Sequence, residues 1–307
     1  MKKLIVTTLI CGLVLTGCGS GNTKSSTAPT DISIEQNTAT SVEKNTEKPT
    51  DELIKETTSE VDIAEQVLYD QDGIKITAKG LSQDGFMGPS VKLLLENDSD
   101  KNITVQTRNS SVNGYMMDLQ MSADVAVGKK ANNEMDIYKT ALKQAGVDVI
   151  AELEFSFHIF ETASWETITD SEQIILKTNI ADGYVQTYDD SGDILYNNDG
   201  IKIISKGLSV DESFMGPELM LYIENSSSKN VTIQARDTSV NGFMTDPTIS
   251  CEVASGKKAV HGMSFFKSTL EENGITEIEE IETSFHIFES AGWDTIVDSE
   301  PITISFK

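Results

Sequence analysis

Cysteine is scarce: only Cys11, Cys18 and Cys251 occur in 307 residues. The first two lie within eighteen residues of the N terminus, so Cys251 has no partner and the chain beyond them is expected to be stable without an internal disulfide. It alternates with Ile249 and Val253, and its counterpart in an earlier copy of the same motif is Ala123, so it reads as a small buried apolar residue. Arginine occurs twice, Arg108 and Arg236, and histidine three times, His158, His261 and His286. Acidic residues outnumber basic ones 49 to 24, for a net charge of −25. A surface of that sign, without clusters of Lys and Arg, excludes nucleic acid and anionic headgroups as partners. Beyond the first fifteen residues no run approaches the roughly 20 apolar residues of a membrane-spanning helix. The chain also lacks G-x-S-x-G, H-E-x-x-H, C-x-x-C and a phosphate-binding glycine loop. Ser226-x-x-Lys229 and Ser264-x-x-Lys267 share the Ser-x-x-Lys spacing of penicillin-recognising enzymes, but the matching positions of the earlier copy hold Asp98 and Asp136, and the other motifs of that class are missing. Sparse histidines and no cysteine pair argue against zinc, and Asp70-Gln71-Asp72-Gly73 lacks the glutamate of a calcium loop and reads as a turn. No catalytic residues, metal or cofactor are expected.

What is present begins with Met1-Lys2-Lys3 and an apolar run from Leu4 to Leu15, the layout of a secretory signal peptide over residues 1–17. The ending Leu15-Thr16-Gly17-Cys18 resembles the lipobox of bacterial lipoproteins. The resemblance implies diacylglycerol on the Cys18 thiol, cleavage before Cys18, and a chain held on the extracytoplasmic face of the cell membrane. Each buried acyl CH₂ contributes roughly 0.8 kcal/mol, so one short chain binds reversibly whereas two or three anchor stably. Residues 18–60 are rich in Thr, Ser, Asn, Lys and Glu and read as a disordered tether. About 45 such residues reach roughly 35–40 Å. Asp51 to Leu68, with apolar residues at mixed spacing, is compatible with a short helix.

The dominant feature is an internal duplication. Leu68-Tyr69-Asp70-Gln71-Asp72-Gly73-Ile74 returns as Leu195-Tyr196-Asn197-Asn198-Asp199-Gly200-Ile201, and Phe86-Met87-Gly88-Pro89 as Phe214-Met215-Gly216-Pro217. Ser111-Val112-Asn113-Gly114 returns as Ser239-Val240-Asn241-Gly242, Gly128-Lys129-Lys130-Ala131 as Gly256-Lys257-Lys258-Ala259, and Ser156-Phe157-His158-Ile159-Phe160-Glu161 as Ser284-Phe285-His286-Ile287-Phe288-Glu289. The offset is 127 residues, then 128 after one insertion near Glu212. The copies span 61–178 and 195–307, each large enough for its own core. Residues 179–194 form the joint, in which Tyr184–Tyr188 is expected to pair with Ile194–Tyr196 as a hairpin, and the copies are expected to behave as beads on a string.

Within each copy strands follow one another. Ile74–Thr77 alternates; Val91–Leu95 is apolar; Ile103, Val105 and Thr107 share one face, with Thr104, Gln106 and Arg108 on the other. Leu119, Met121, Ala123 and Val125 alternate next, and Leu153, Phe155, Phe157 and Ile159 form the strongest strand. Thr140–Ala145 (Thr269–Asn273) reads as one helical turn ending at Gly146 (Gly274). The expected fold is all-β: two tandem antiparallel β-sandwich domains of immunoglobulin-like architecture. The lipobox, the tether and the duplicated Phe-Met-Gly-Pro, Ser-Val-Asn-Gly and Ser-Phe-His-Ile-Phe-Glu motifs resemble surface lipoproteins of clostridia and related Gram-positive bacteria. That resemblance implies location and fold, and no activity.

Two sets of residues are candidates for binding. Arg108, Glu154 and His158, with Arg236, Glu282 and His286, would share an outer sheet face if the third and sixth strands are neighbours, a cluster suited to a carboxylate or a sugar. The loop residues Phe86, Met87, Tyr115 and Met116, with Phe214, Met215, Phe243 and Met244, either cap the core or make an adaptable contact surface; Trp165 and Trp293 read as core caps. The function expected from these features is non-enzymatic binding of an extracytoplasmic protein, peptide or cell-wall component. The alternatives are a structural spacer and an inhibitor or immunity-type lipoprotein acting on a secreted hydrolase.

Overall fold

The computed structural model describes residues 60–209 and 216–306, all within one compact unit, Thr57–Lys307. The signal peptide, Cys18, the tether up to residue 59, and Phe214 and Met215 lie outside the described residues. Among the described residues no helix is long and apolar enough to cross a membrane.

The chain is all-β. The first copy contains β1 (Gln66–Gln71), β2 (Ile74–Ser82), β3 (Ser90–Asn97), β4 (Ile103–Val112), β5 (Tyr115–Met116), β6 (Leu119–Gln120), β7 (Ser122–Val125), β8 (Lys129–Ile137), helix α1 (Lys139–Gln144), β9 (Glu152–Glu161), β10 (Thr167–Asp170) and β11 (Ile174–Lys177). The second contains β12 (Asp193–Asn198), β13 (Ile201–Ser209), β14 (Glu218–Asn225), β15 (Val231–Val240), β16 (Phe243–Met244), β17 (Ser250–Val253), β18 (Lys258–Ser264), α2 (Lys267–Glu272), β19 (Glu280–Glu289), β20 (Thr295–Asp298) and β21 (Ile302–Ser305). In the first copy β1-β2-β3-β8-β6 form one antiparallel sheet, while β4 pairs with β9, β5 and β7, and β9 with β10 and β11. Apolar residues from both layers, such as Ile76 and Leu93 from the first and Val105, Phe155 and Phe157 from the second, share one buried cluster. The second copy has its own cluster around Leu221, Ile233, Phe285 and Ile287. Alternation builds these layers, because successive side chains of a strand point to opposite faces.

Local turns follow the sequence. Asp72-Gly73 and Asp199-Gly200 carry positive φ at both central positions, 55° and 74° in the first pair and 53° and 76° in the second, the two-residue turn whose twist matches a hairpin. Asn97 is fully buried beside the next turn; its Nδ2 donates to the carbonyls of Lys101 and Val125, both at 2.8 Å, and its Oδ1 accepts from Ser99. Asn225 repeats this network. Removing such a group strands several buried partners, so Asn97→Ala or Asn225→Ala is expected to lower unfolding free energy by about 3 kcal/mol, read from urea denaturation.

Four sequence expectations change. The Leu119–Val125 run is not one strand: Leu119–Gln120 pairs with β8 and Ser122–Val125 with β4, so the chain crosses between sheets at Met121. Alternation fixes which side chains face inward, and does not fix the strand they lie against. Tyr184–Tyr188 forms no strand, and β12 pairs with β13 instead. Residues 60–65 are not helical and lead directly into β1. Finally, the copies are not beads on a string. Tyr115 of β5 bridges in parallel to Lys258 of β18, which joins strands from both copies into one sheet, β10-β9-β4-β5-β18-β14-β13-β12. Tyr115 is 1% exposed, with Ile204 and Tyr222 of the second copy in its cluster. Lys257 bonds to Glu154, Tyr188 Oη donates to the Asn113 carbonyl at 3.0 Å, and the Lys258 ammonium lies 4.1 Å from the Tyr188 ring centroid.

Burial has a pH consequence. Desolvation pushes the Tyr115 hydroxyl up to about 12 from 10.0 and the Cys251 thiol up to about 12 from 9.0. Both groups favour the folded state while protonated, and above pH 9–10 the unfolded chain loses these protons first. Stability is therefore expected to be unaffected by these groups below pH 9 and to fall as pH rises from 9 to 12, followed by circular dichroism. Cys251 is expected to resist thiol reagents at pH 8 in the folded unit and to react once urea unfolds it.

Candidate functional site

The outer face of β9 carries the site. Along a strand, residues two apart share a face, which places His158 beside Phe160 opposite the core-facing Phe157 and Ile159. The β9–β10 hairpin then returns the chain so that Trp165 lies over Phe160, ring centroids 5.3 Å apart and planes within 16° of parallel. The His158 ring is 5.3 Å from Phe160, and its Nδ1 lies 2.5 Å from Asp170 Oδ1 on β10. The result is a row, Asp170–His158–Phe160–Trp165, of which Phe160 and His158 are buried and Trp165 is 73% exposed.

The second copy repeats it with a changed loop sequence. Phe288 and Trp293 stack at 5.4 Å and 13°, His286 is 5.1 Å from Phe288, and Nδ1 of His286 lies 2.6 Å from Asp298 Oδ1. Trp293 is 74% exposed. Thr162-Ala163-Ser164 in one hairpin corresponds to Ser290-Ala291-Gly292 in the other, yet the tryptophan is kept.

The backbone of each tryptophan is left-handed, φ 63° at Trp165 and 60° at Trp293. Each hairpin closes through the tryptophan N–H to the carbonyl of Glu161 or Glu289, at 2.9 Å, and that left-handed position in such loops suits glycine. A large side chain there costs on the order of 1–2 kcal/mol. The left-handed backbone recurs at equivalent positions in the two copies, under an indole that belongs to neither core cluster. In the same hairpin Ser164 Oγ donates to Glu161 Oε2 at 2.8 Å, and Glu166 precedes the return strand that ends at Asp170.

The sequence-derived cluster divides. Register places Gln106 opposite His158, Arg108 opposite Ser156 and Ser111 opposite Glu154, so β4 and β9 are neighbours. But His158 turns to Asp170 and Glu154 to Lys257. Arg108 is exposed at a bulge before Asn109 and enters no ion pair among the described residues, while Arg236 reaches only Gln234, at 3.5 Å. Glu282 is exposed. The contact-loop residues also separate. Phe86 is almost wholly exposed and Met87 partly so, which overturns a core-capping role for Phe86. Tyr115 is buried in the joint, whereas Phe243 and Met244 are exposed. Trp165 and Trp293 cap no core. Phe160 and Asp170, with Phe288 and Asp298, were absent from the sequence-derived set; Phe160 shares the strand register of His158, which is the signal that points to it.

Between the copies lies a groove of about 390 Å³ lined by Met116, Met117, Tyr138, Val260 and His261 among others. Among the described residues no three His, Cys, Asp or Glu side chains converge as metal ligands would. No family model and no curated protein matches the chain.

Proposed function

We propose that this chain is a lipoprotein, anchored through Cys18 on the extracytoplasmic face of the cell membrane after loss of residues 1–17. It displays two immunoglobulin-like β-sandwiches that bind a cell-wall component without chemistry. Strand order supports the immunoglobulin-like reading: β2-β3-β8-β6 in one layer and β4-β9-β11 in the other follow the A-B-E-D and C-F-G orders of that architecture, with β7 added at the free edge of β4.

The observation that carries the binding reading is the strained, exposed tryptophan stacked on a phenylalanine in both copies. Its open face is flat and electron-rich, which suits the partially positive C–H face of a sugar ring. The same β9–β10 hairpin carries the carboxylates of Glu161, Glu166 and Asp170, groups able to accept from sugar hydroxyls. A single indole is too small a patch for a protein interface of about 800 Å² per partner, and a net charge of −25 disfavours anionic polymers. Two such sites on one tethered chain raise each other's effective concentration along a repeating glycan.

Co-sedimentation of the Thr57–Lys307 unit, which holds both cores whole, with insoluble cell wall tests the reading. Binding is expected to saturate and to be competed by soluble wall glycan. A unit left in the supernatant at every wall concentration would favour a spacer. The anchor is tested separately by metabolic labelling with a fatty acid, expected to vanish in Cys18→Ala.

A further inference from the structure

The duplication supplies an internal control for one surface. In the first copy, the turn and strand Gly114-Tyr115-Met116 are covered by the second copy. Lys258 N–H donates to the Gly114 carbonyl at 3.0 Å, Lys257 pairs with Glu154, and the Tyr188 hydroxyl sits above Gly114 so closely that a Cβ there would meet it at 2.8 Å. In the second copy the same positions are Gly242-Phe243-Met244 and Glu282. Phe243 is 48% exposed, Met244 is 68% exposed, Glu282 is exposed, and nothing lies within 4 Å of a Cβ placed on Gly242.

The inserting edge is duplicated as well. Gly256-Lys257-Lys258-Ala259, which docks on Tyr115, has the identical counterpart Gly128-Lys129-Lys130-Ala131. Inside the joint Lys257 and Lys258 are mostly covered. Lys129 and Lys130 are exposed and pair with β3 alone. Among the described residues, one molecule thus carries an unfilled copy of the seat in its second copy and an unfilled copy of what fills it in its first.

We propose that copies of this chain associate head to tail, the Gly242-Phe243-Met244 edge of one seating the Gly128-Lys129-Lys130 edge of the next. Lys129 takes the place of Lys257 opposite Glu282, and Phe243 faces Lys130 as Tyr115 faces Lys258. This surface lies apart from the tryptophan hairpins, so association and wall binding stand or fall separately. The contact is heterologous, so each added copy brings a free seat and a free edge, and the series grows until it closes on itself or continues as an open filament. It is weaker than the internal joint. The supporting apolar residues Ile204, Tyr222 and Val260 are replaced in the first copy by Thr77, Leu94 and Asn132, which offer less apolar area. Lipid anchoring would concentrate the copies on one surface, where a weak contact is populated.

Cysteine pairing in the full-length chain tests this in the membrane. Tyr115 and Lys258 are direct bridge partners, and cross-strand neighbours fall within the Cα range a disulfide needs. A chain carrying both Phe243→Cys and Lys130→Cys is expected to give a ladder of dimers, trimers and larger species on a non-reducing gel, with no species beyond dimer from either single variant. As a second measurement, sedimentation of Thr57–Lys307 is expected to show a mass that rises with concentration, and Phe243→Asp or Lys129→Glu to weaken association at least tenfold. Monomers from the double-cysteine chain under oxidation, or association that Phe243→Asp leaves unchanged, would overturn the proposal.

Discussion

Replacing both tryptophans by glycine, Trp165→Gly with Trp293→Gly, is expected to abolish retention on cell wall while leaving stability within about 1 kcal/mol of the parent chain. The two results together separate a binding residue from a structural one. Each indole is mostly exposed, and its loss removes the stack on Phe160 or Phe288, about 0.5–1.5 kcal/mol. Glycine also relieves the left-handed backbone strain, of the order of 1–2 kcal/mol, and adds some chain entropy to the unfolded state. These contributions oppose each other and nearly cancel. The alanine variants lose the stack and keep the strain, so they are expected to be about 1 kcal/mol less stable than the glycine variants by urea denaturation and equally unable to bind. A large fall in stability for the glycine pair, with binding retained, would make the tryptophans structural.

Tyr115→Ala is expected to lower unfolding free energy by about 3–5 kcal/mol, whereas Phe243→Ala at the equivalent position changes it by less than about 1 kcal/mol. The contrast follows from burial alone, since both residues follow the same Asn-Gly turn at the end of equivalent strands. Tyr115 sits against Tyr188, 5.3 Å between ring centroids, within a cluster that includes Ile204 and Tyr222, and removing it leaves a cavity where the two copies meet. Because that seam couples the copies, Tyr115→Ala is further expected to split one calorimetric transition into two. Equal effects at the two positions would mean that the joint is not closed around Tyr115.

Much of the fold was legible from residue pattern. Two-residue periodicity gave the inward faces of β4 and β9, Asp-Gly and Asn-Gly gave the reversals, and Thr140–Ala145 was recognisable as a helical turn. The duplicated motifs predict the same strand pattern in both copies. What was not legible depends on contacts between elements distant in sequence. Periodicity cannot tell that Leu119 and Val125 pair in different sheets. It also cannot tell that Tyr115 is buried when Phe243 is exposed, because that difference arises from the second copy lying against the first. The site is half visible in the sequence: alternation puts His158 on the outer face and suggests Arg108 of the neighbouring strand as its partner, whereas Asp170 on the returning hairpin holds that place. Tryptophan beside a strand end looks like a core cap, and only its left-handed backbone and open face show otherwise.

Trp165 and Trp293 are the only tryptophans in the chain, so intrinsic indole fluorescence reports on the two platforms and nothing else. Titration of the Thr57–Lys307 unit with soluble wall glycan, followed by that fluorescence and by its quenching with acrylamide, is the most direct measurement of the binding reading. A saturable spectral change with protection of both indoles from the quencher is the expected result. Wall binding that persists while both indoles remain fully open to quencher would contradict it.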